Sequence, residues 1–170
     1  VTLNIDGNLK LNLGFKTENI SVLDINSTGN VYIDCGVRNC GESIINVTSE
    51  GSVTLVNGRY FGDINALDKV TLRIAAHAQD IKSLEDVTLE SGSTARNIQT
   101  QGNILFTGGS SADSLYAAGH IKLYTSHVRA GNVESESYIV ISSSNVRGDV
   151  KANAYIRLDT NSKVSGSLYA

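Results

Sequence analysis

Apolar and polar residues alternate in short runs along the whole chain, and the runs recur at a near-constant interval. Nine apolar-x-apolar pairs open successive units: Leu9/Leu11, Val31/Ile33, Val53/Leu55, Val70/Leu72, Val87/Leu89, Ile104/Phe106, Ile121/Leu123, Ile139/Ile141 and Ile156/Leu158. Their spacings are 22, 22, 17, 17, 17, 17, 18 and 17 residues. Period-two alternation predicts half-buried strands. A second register, an apolar residue followed two later by a small one, lies 11 residues into the regular units: Ile64/Ala66, Ile81/Ser83, Ile98/Thr100, Leu115/Ala117, Val133/Ser135, Val150/Ala152 and Leu168/Ala170. Val133 and Leu168 come one position late because their units carry one extra residue. Ile25/Ser27 and Val47/Ser49 play the same part earlier, and Leu3/Ile5 is this element of a turn that begins before Val1. A weaker third register holds Tyr60, His77, Thr94, Ser111, Val128, Val146 and Val164.

Three short strands per unit leave two or three residues for each corner. A 17-residue unit cannot bury its own inner face, but stacking units pairs each strand in parallel with its equivalent and makes a continuous core. The expected fold is therefore all-β: a single-stranded right-handed parallel β-helix, or β-solenoid, of about nine coils of mostly 17 residues with no terminal caps. The right hand is expected because the strict hexapeptide rhythm of left-handed β-helices is missing. At ~4.8 Å per coil the rod would be roughly 43 Å long. Residues 1–170 form one solenoid, with 22-residue coils over 1–52 and 17- or 18-residue coils over 53–170. The stretch "INALDKVTLRIAAHAQDIKSLEDV" could pass for an amphipathic helix, but the 17-residue register runs straight through it.

Composition agrees with strands and tight corners: no Pro, Met or Trp, 16 Gly, and many Ser, Thr and Asn. A formal charge of −3 with scattered Lys and Arg gives no nucleic-acid footprint. No apolar run approaches the roughly 20 residues of a membrane span. A chain beginning at Val1 without a leader pattern is consistent with processing or excision from a longer protein. The extra length of the second long unit falls around "DCGVRNCGES", which places Cys35 and Cys40 in a projecting loop. They are either a disulfide, implying an oxidising compartment, or two thiols. No His or second Cys pair accompanies them as a metal site would require. Sequons stand at Asn19, Asn26 and Asn46, as chance provides in an Asn/Ser/Thr-rich chain.

Catalytic chemistry has one candidate column, the position before the second register: Asp63, Asp80, Asn97, Ser114, Asn132, Asp149 and Ser167. Stacking would bring Asp63 and Asp80 to roughly 5 Å backbone separation, compatible with paired carboxylates. No basic residue accompanies them in register, and short polar side chains at a corner more readily form a hydrogen-bonded ladder. His77 reads as structural; His120 and His127 read as exposed. No nucleophile stands with a base, and no cofactor is expected. Tyr138 and Tyr155 each precede a unit's first pair in adjacent coils and should stack on an outer face. Tyr116 and Tyr169 share another outward position. A Tyr stripe either binds carbohydrate or protein or serves as an aromatic ladder.

"VTLNIDGNLKLNL" and "KVSGSLYA" at the two ends are both in repeat register. Leu3, Ile5, Leu9, Leu11, Val164 and Leu168 are thus the expected end-to-end stacking residues, joining copies head to tail or continuing a longer rod. Five units enter through Gly-x-apolar-x-apolar, as "GNLKL", "GNVYI", "GSVTL", "GNILF" and "GHIKL"; with "INSTGNVYI" and "IKLYTSHVRAGNV" these resemble the haemagglutinin repeats of secreted filamentous-haemagglutinin-type adhesins. That resemblance implies a right-handed β-helix at the bacterial surface, although 17 residues is shorter than such repeats usually run. "VRGDVKA" (146–152), "VSGSLYA" (164–170) and "YFGDINA" (60–66) resemble instead the rhythm of bactofilins, which implies an intracellular scaffold that polymerises without nucleotide. The expectation is a non-enzymatic extracellular or cell-surface rod whose partner is itself or the rest of a longer solenoid, with carbohydrate or a cell-surface protein as a possible ligand of the Tyr face. A cytoplasmic bactofilin-like filament is the alternative, and a polysaccharide-active enzyme comes third.

Overall fold

The computed structural model describes residues 1–12, 21–36, 44–58, 61–124 and 128–170. Every strand pairing in it is parallel, and no helix occurs among the described residues. The first sheet has nine strands, one for each predicted opening pair: Leu9–Asn12, Val31–Asp34, Val53–Val56, Val70–Arg73, Val87–Leu89, Ile104–Phe106, Ile121–Leu123, Tyr138–Ile141 and Tyr155–Leu158. Each pairs with the strands one turn before and one turn after, in the predicted register. Val53 lies against Val70, Val70 against Val87, and Ile121 against Ile139. The chain is a β-solenoid with about seven turns at the 17- to 18-residue spacing, preceded by the two 22-residue steps.

The second sheet has twelve strands and runs from Thr2–Ile5 through Val22–Ser27, Ile44–Ser49, Phe61–Ala66 and Asp80–Ser83 to Thr94–Thr100, Ser111–Ala117 and Val128–Ser135. Four shorter strands finish it, two per turn: Ser144–Val146 and Val150–Ala152 both lie against Val128–Ser135, and Lys163–Val164 and Leu168–Tyr169 lie against them in turn. The second register is as expected throughout. Leu3 meets Ile25, Leu115 meets Val133 despite the inserted residue, and Val150 meets Leu168.

The third register differs from expectation in two ways. It does not form a strand of its own in the middle turns, where Thr94–Thr100, Ser111–Ala117 and Val128–Ser135 each carry both the third and second registers. Its inward column there is Ala95, Ala112 and Ala130, the first two one residue beyond Thr94 and Ser111; further along, Val146 and Val164 are inward as expected. Tyr60 lies outside the described residues. The inward residue is small because this corner is tight, and Ala against Ser or Thr offers little hydrophobic contrast to read. Two consecutive outward residues follow each Ala, such as Arg96-Asn97 and Asp113-Ser114, and there the strand bends from one face of the coil to the next.

At a different corner, the residue four past the first residue of an opening pair is left-handed in five turns: Asn57, Ile74, Ser91, Gly108 and Ser143 have φ of 56, 53, 52, 62 and 49°. That conformation turns the chain sharply out of the sheet. Inside, Ile33, Leu55, Leu72, Leu89, Phe106 and Leu123 form one of several stacked apolar columns of a single continuous core. Burying each such side chain stabilises by about 1.5–3 kcal/mol, which no isolated coil could achieve.

The small residues of the second register have a purpose beyond size. Ser27, Ser49, Ser83, Thr100 and Ser135 are buried, and their hydroxyls bond backbone at the corner that leads into the first sheet. Ser83 Oγ donates to Asp68 O (2.6 Å) one turn back and accepts from Glu85 N (3.1 Å). Ser49 and Ser135 do the same, to Gly29 O and Gly119 O at 2.7 and 2.8 Å. Among the described residues no buried side-chain nitrogen or oxygen lacks a partner.

Candidate functional site

The outward columns carry whatever chemistry this rod has. The position just before each opening pair forms a ladder. Asn8 Oδ1 accepts from Asn30 N (2.7 Å), Asn30 Oδ1 from Ser52 N (2.8 Å), Asp86 Oδ1 from Asn103 N (2.8 Å), and Asn103 Oδ1 from His120 N (2.9 Å). Each amide or carboxylate lies over the residue before its successor, which explains why Gly recurs there. A Cβ on Gly119 would stand 2.3 Å from Asn103 Oδ1. The Gly-Asn steps of the sequence are thus a backbone-satisfying device.

The same column ends in rings. His120, Tyr138 and Tyr155 are stacked, with centroids 4.8 and 5.0 Å apart and planes within 5° and 1°. Tyr138 opposes Tyr155 as expected, and Lys122 Nζ lies 5.8 Å from the Tyr138 centroid. The reading of His120 as exposed is corrected: it is half-buried as the first ring of the stack. Its pKa falls below 6.5 because burial disfavours the imidazolium and Lys122 adds like charge, outweighing Asp86. The signal was available in the spacing, since His120 precedes Ile121 as Tyr138 precedes Ile139.

Asp63 and Asp80 do fall in adjacent turns of the predicted column, but as members of a second ladder. Asn46 Oδ1 accepts from Asp63 N (3.0 Å), Asp63 Oδ1 from Asp80 N (3.4 Å), Asn132 Oδ1 from Asp149 N (3.1 Å), and Asp149 Oδ1 from Ser167 N (2.8 Å). No basic residue accompanies the pair in register, as expected, but one reaches it from the neighbouring position. Arg96 holds Asp80 through both oxygens (Nε 2.9 Å, Nη2 2.8 Å), and Asn97 Nδ2 adds a third bond at 2.8 Å. The Arg96 hydrogen bonds are the main reason the Asp80 carboxyl sits below the usual carboxylate range. Arg96 escaped the column count because it occupies the first of the two outward residues at the bend. In the next-but-one turn Gly131 fills that place, where a Cβ would stand 1.8 Å from Asp113 O.

His77 bonds Thr94 Oγ1 and bridges that turn; His127 lies outside the described residues. Tyr116 and Tyr169 share one outward column through Glu134 and Lys151, and the Tyr116 hydroxyl donates to Glu136. Of the sequons, Asn26 Nδ2 donates to Asn4 Oδ1 (2.9 Å) and Asn46 Nδ2 to Asp24 Oδ1 (2.7 Å), while Asn19 lies outside the described residues. Cys35 is fully buried and disulfide-bonded; Cys40 lies outside the described residues. No group of three or more His, Cys, Asp or Glu able to hold a metal occurs among the described residues. Among the same residues, no helix is long and apolar enough to cross a membrane.

The predicted stacking residues sit on the terminal rungs. Leu3, Leu9, Leu11 and Val164 are half-buried against the core, Ile5 is half-buried beside them, and Leu168 is exposed. Leu158 is exposed on the same rung as Ile156. No family model, curated protein or solved structure matches this chain.

Proposed function

We propose that the protein is a non-catalytic rod of an extracellular or cell-surface fibre, whose end rungs either continue a longer solenoid or stack on a second copy. One observation carries this reading: the apolar columns and both sheets repeat in one register from turn to turn, so that each rung presents the surface the next one covers. A further rung in register would set Leu9 and Leu11 against Ile156 and Leu158, and Leu3 against Leu168. A bonded Cys35 supports an oxidising compartment. The engagement of Asp63 and Asp80 in ladder bonds supports a structural role for that column.

Negative-stain electron microscopy across a concentration range tests the proposal. Self-stacking gives filaments one coil wide that Leu158→Asp or Leu168→Asp dissolves into short rods. Short rods at every concentration, indifferent to both substitutions, would end the self-stacking form. A cytoplasmic, bactofilin-like scaffold is the second reading, favoured by the Gly at the bend in "VRGDVKA" and "VSGSLYA". Native material with Cys35 reduced and found beneath the membrane would select it. Cleavage of an acidic polysaccharide that is lost in Asp80→Asn would overturn both.

A further inference from the structure

Four exposed cations of the rod hold a carboxylate: Arg73 with Glu90, Arg96 with Asp80, Lys151 with Glu134 and Arg157 with Asp159. Among the described residues, no carboxylate lies within ion-pair distance of Arg129, Arg147 or Lys163, and these three are neighbours. Arg129 lies against Asn145 and Asn145 against Lys163, one turn apart each time. Val146 is buried between Asn145 and Arg147, so those two side chains leave the same face. Arg147 N donates to Ala130 O (2.8 Å), which sets Arg147 one turn beyond Gly131. Ser165 N donates in the same way to Val146 O (3.0 Å), which sets Ser165 one turn beyond Arg147. The result is a block three turns tall and two columns wide: Arg129, Asn145 and Lys163 in one, Gly131, Arg147 and Ser165 in the other. At ~4.8 Å per turn it is about 10 Å long. All three cations are exposed.

The block contains no carboxylate, and those that flank it are set apart. Asp113 lies in the Gly131 column one turn earlier, against Arg96. Asp149, two residues past Arg147, accepts from Ser167 N through Oδ1 (2.8 Å). The chain as a whole carries a formal charge of −3, so this is positive ground on an acidic molecule. We infer that the block binds an acidic polysaccharide lying along the side of the rod. The guanidinium forks of Arg129 and Arg147 present paired donors to the two oxygens of a sugar carboxylate, and the Lys163 ammonium adds a third charge. Gly131 places no side chain beside Arg129 and leaves the floor between the two arginines open. Asn145 and Ser165 set an amide and a hydroxyl among the cations, and both exchange hydrogen bonds with sugar hydroxyls. One turn advances about as far as one sugar of an extended chain, so successive sugars meet Arg129, then Arg147, then Lys163. A nucleic acid fits less well, because neither column holds an aromatic side chain on which a base could stack. A bilayer also fits less well, because neither holds an apolar side chain to insert. Exposed charges make the contact weak for one block and sensitive to salt; repetition along a longer fibre would strengthen it. The inference concerns a side of the rod and is independent of end-to-end stacking.

Binding of the whole chain to immobilised polygalacturonate, a chain of carboxylated sugars, tests the assignment by biolayer interferometry. The wild-type chain should bind at low salt and be released as salt is raised. Arg129→Gln, Arg147→Gln and Lys163→Gln should each weaken binding about two- to fivefold, and the triple variant should lose it. Lys10→Gln/Lys69→Gln/Lys82→Gln removes the same charge from exposed positions outside the block and should bind as the wild type does. Circular dichroism of both triple variants checks that each keeps the β fold. A wild-type chain that does not bind overturns the proposal. So does a loss shared equally by the two triple variants, which is the result a general charge effect gives. Equal or tighter binding to polyglutamate or to single-stranded DNA overturns the assignment to a glycan.

Discussion

At the residue scale, one side chain strains the backbone that carries it. Ile74 is β-branched, half exposed, and held at φ 53°. A β-branched side chain in the left-handed region is strained by about 1–3 kcal/mol. Replacing Ile74 with Gly should stabilise the fold by about 1 kcal/mol, the relief being partly offset by glycine's freer unfolded state. A raised urea midpoint with an unchanged slope would show it. His120 makes the pH dependence at this scale. Its folded pKa is below 6.5, so the unfolded chain binds more protons in the window beneath that value. Stability contributed by the neutral ring is therefore full above pH 6.5 and declines as pH falls through the folded pKa. His120→Gln should abolish that part of the pH profile, measured by thermal unfolding across pH 5 to 7, roughly the range in which histidine titrates. Asp80 acts lower on the scale. Held down by Arg96, it contributes stability above pH 3.8 that is lost on further acidification.

At the scale of the element, the corner leading into the first sheet rests on buried hydroxyls. Thr100 Oγ1 donates to Glu85 O and accepts from Gly102 N at 3.0 Å, joining two turns at once. Thr100→Val keeps the shape and strands both backbone groups, at a cost of about 1–3 kcal/mol. Ala66, in the same column, makes no such bond, so Ala66→Gly should cost only about 1 kcal/mol. Parallel urea titrations of the two variants would separate the hydroxyl contribution from that of packing. The glycines of the ladders belong to this scale too. Gly119 exists because the amide of Asn103 occupies the space a side chain would need, so the Gly and the Asn of each step are two halves of one hydrogen bond.

At the scale of the whole molecule, each turn contacts its neighbours and little else, so stability is close to a sum over turns and interfaces. Deleting residues 87–103 removes one complete turn and joins Asp86 to Ile104, leaving every column in register. That variant should fold, with a smaller denaturant slope. Deleting 87–102 instead leaves one extra residue at the corner before Ile104, an 18-residue unit like that from Ile121 to Ile139, so the register is kept at a cost in stability. Circular dichroism and urea unfolding should show a cooperative β protein in both cases, with the lower midpoint in the second.

How much of this was legible in the sequence depends on which distance along the chain carries the information. The opening pairs and the second register were fully readable, even where Val133 and Leu168 come late, because alternation and the 17-residue interval both follow from one parallel strand stacking on another. The pairing of Tyr138 with Tyr155 and the ladder character of the Asp63 column were readable for the same reason. What only the tertiary structure decided arises where the chain leaves that regularity. The bend with two successive outward residues brings Arg96 to Asp80, 16 residues away rather than 17, outside any column count. The tight corner makes alanine the inward residue at Ala95, Ala112 and Ala130, where polarity gives no contrast. The closing of the coil around one core determines which small residues become buried hydroxyls. Periodicity records what each turn shares with the next; corners, where the backbone changes direction, depend on three-dimensional closeness that no single interval encodes.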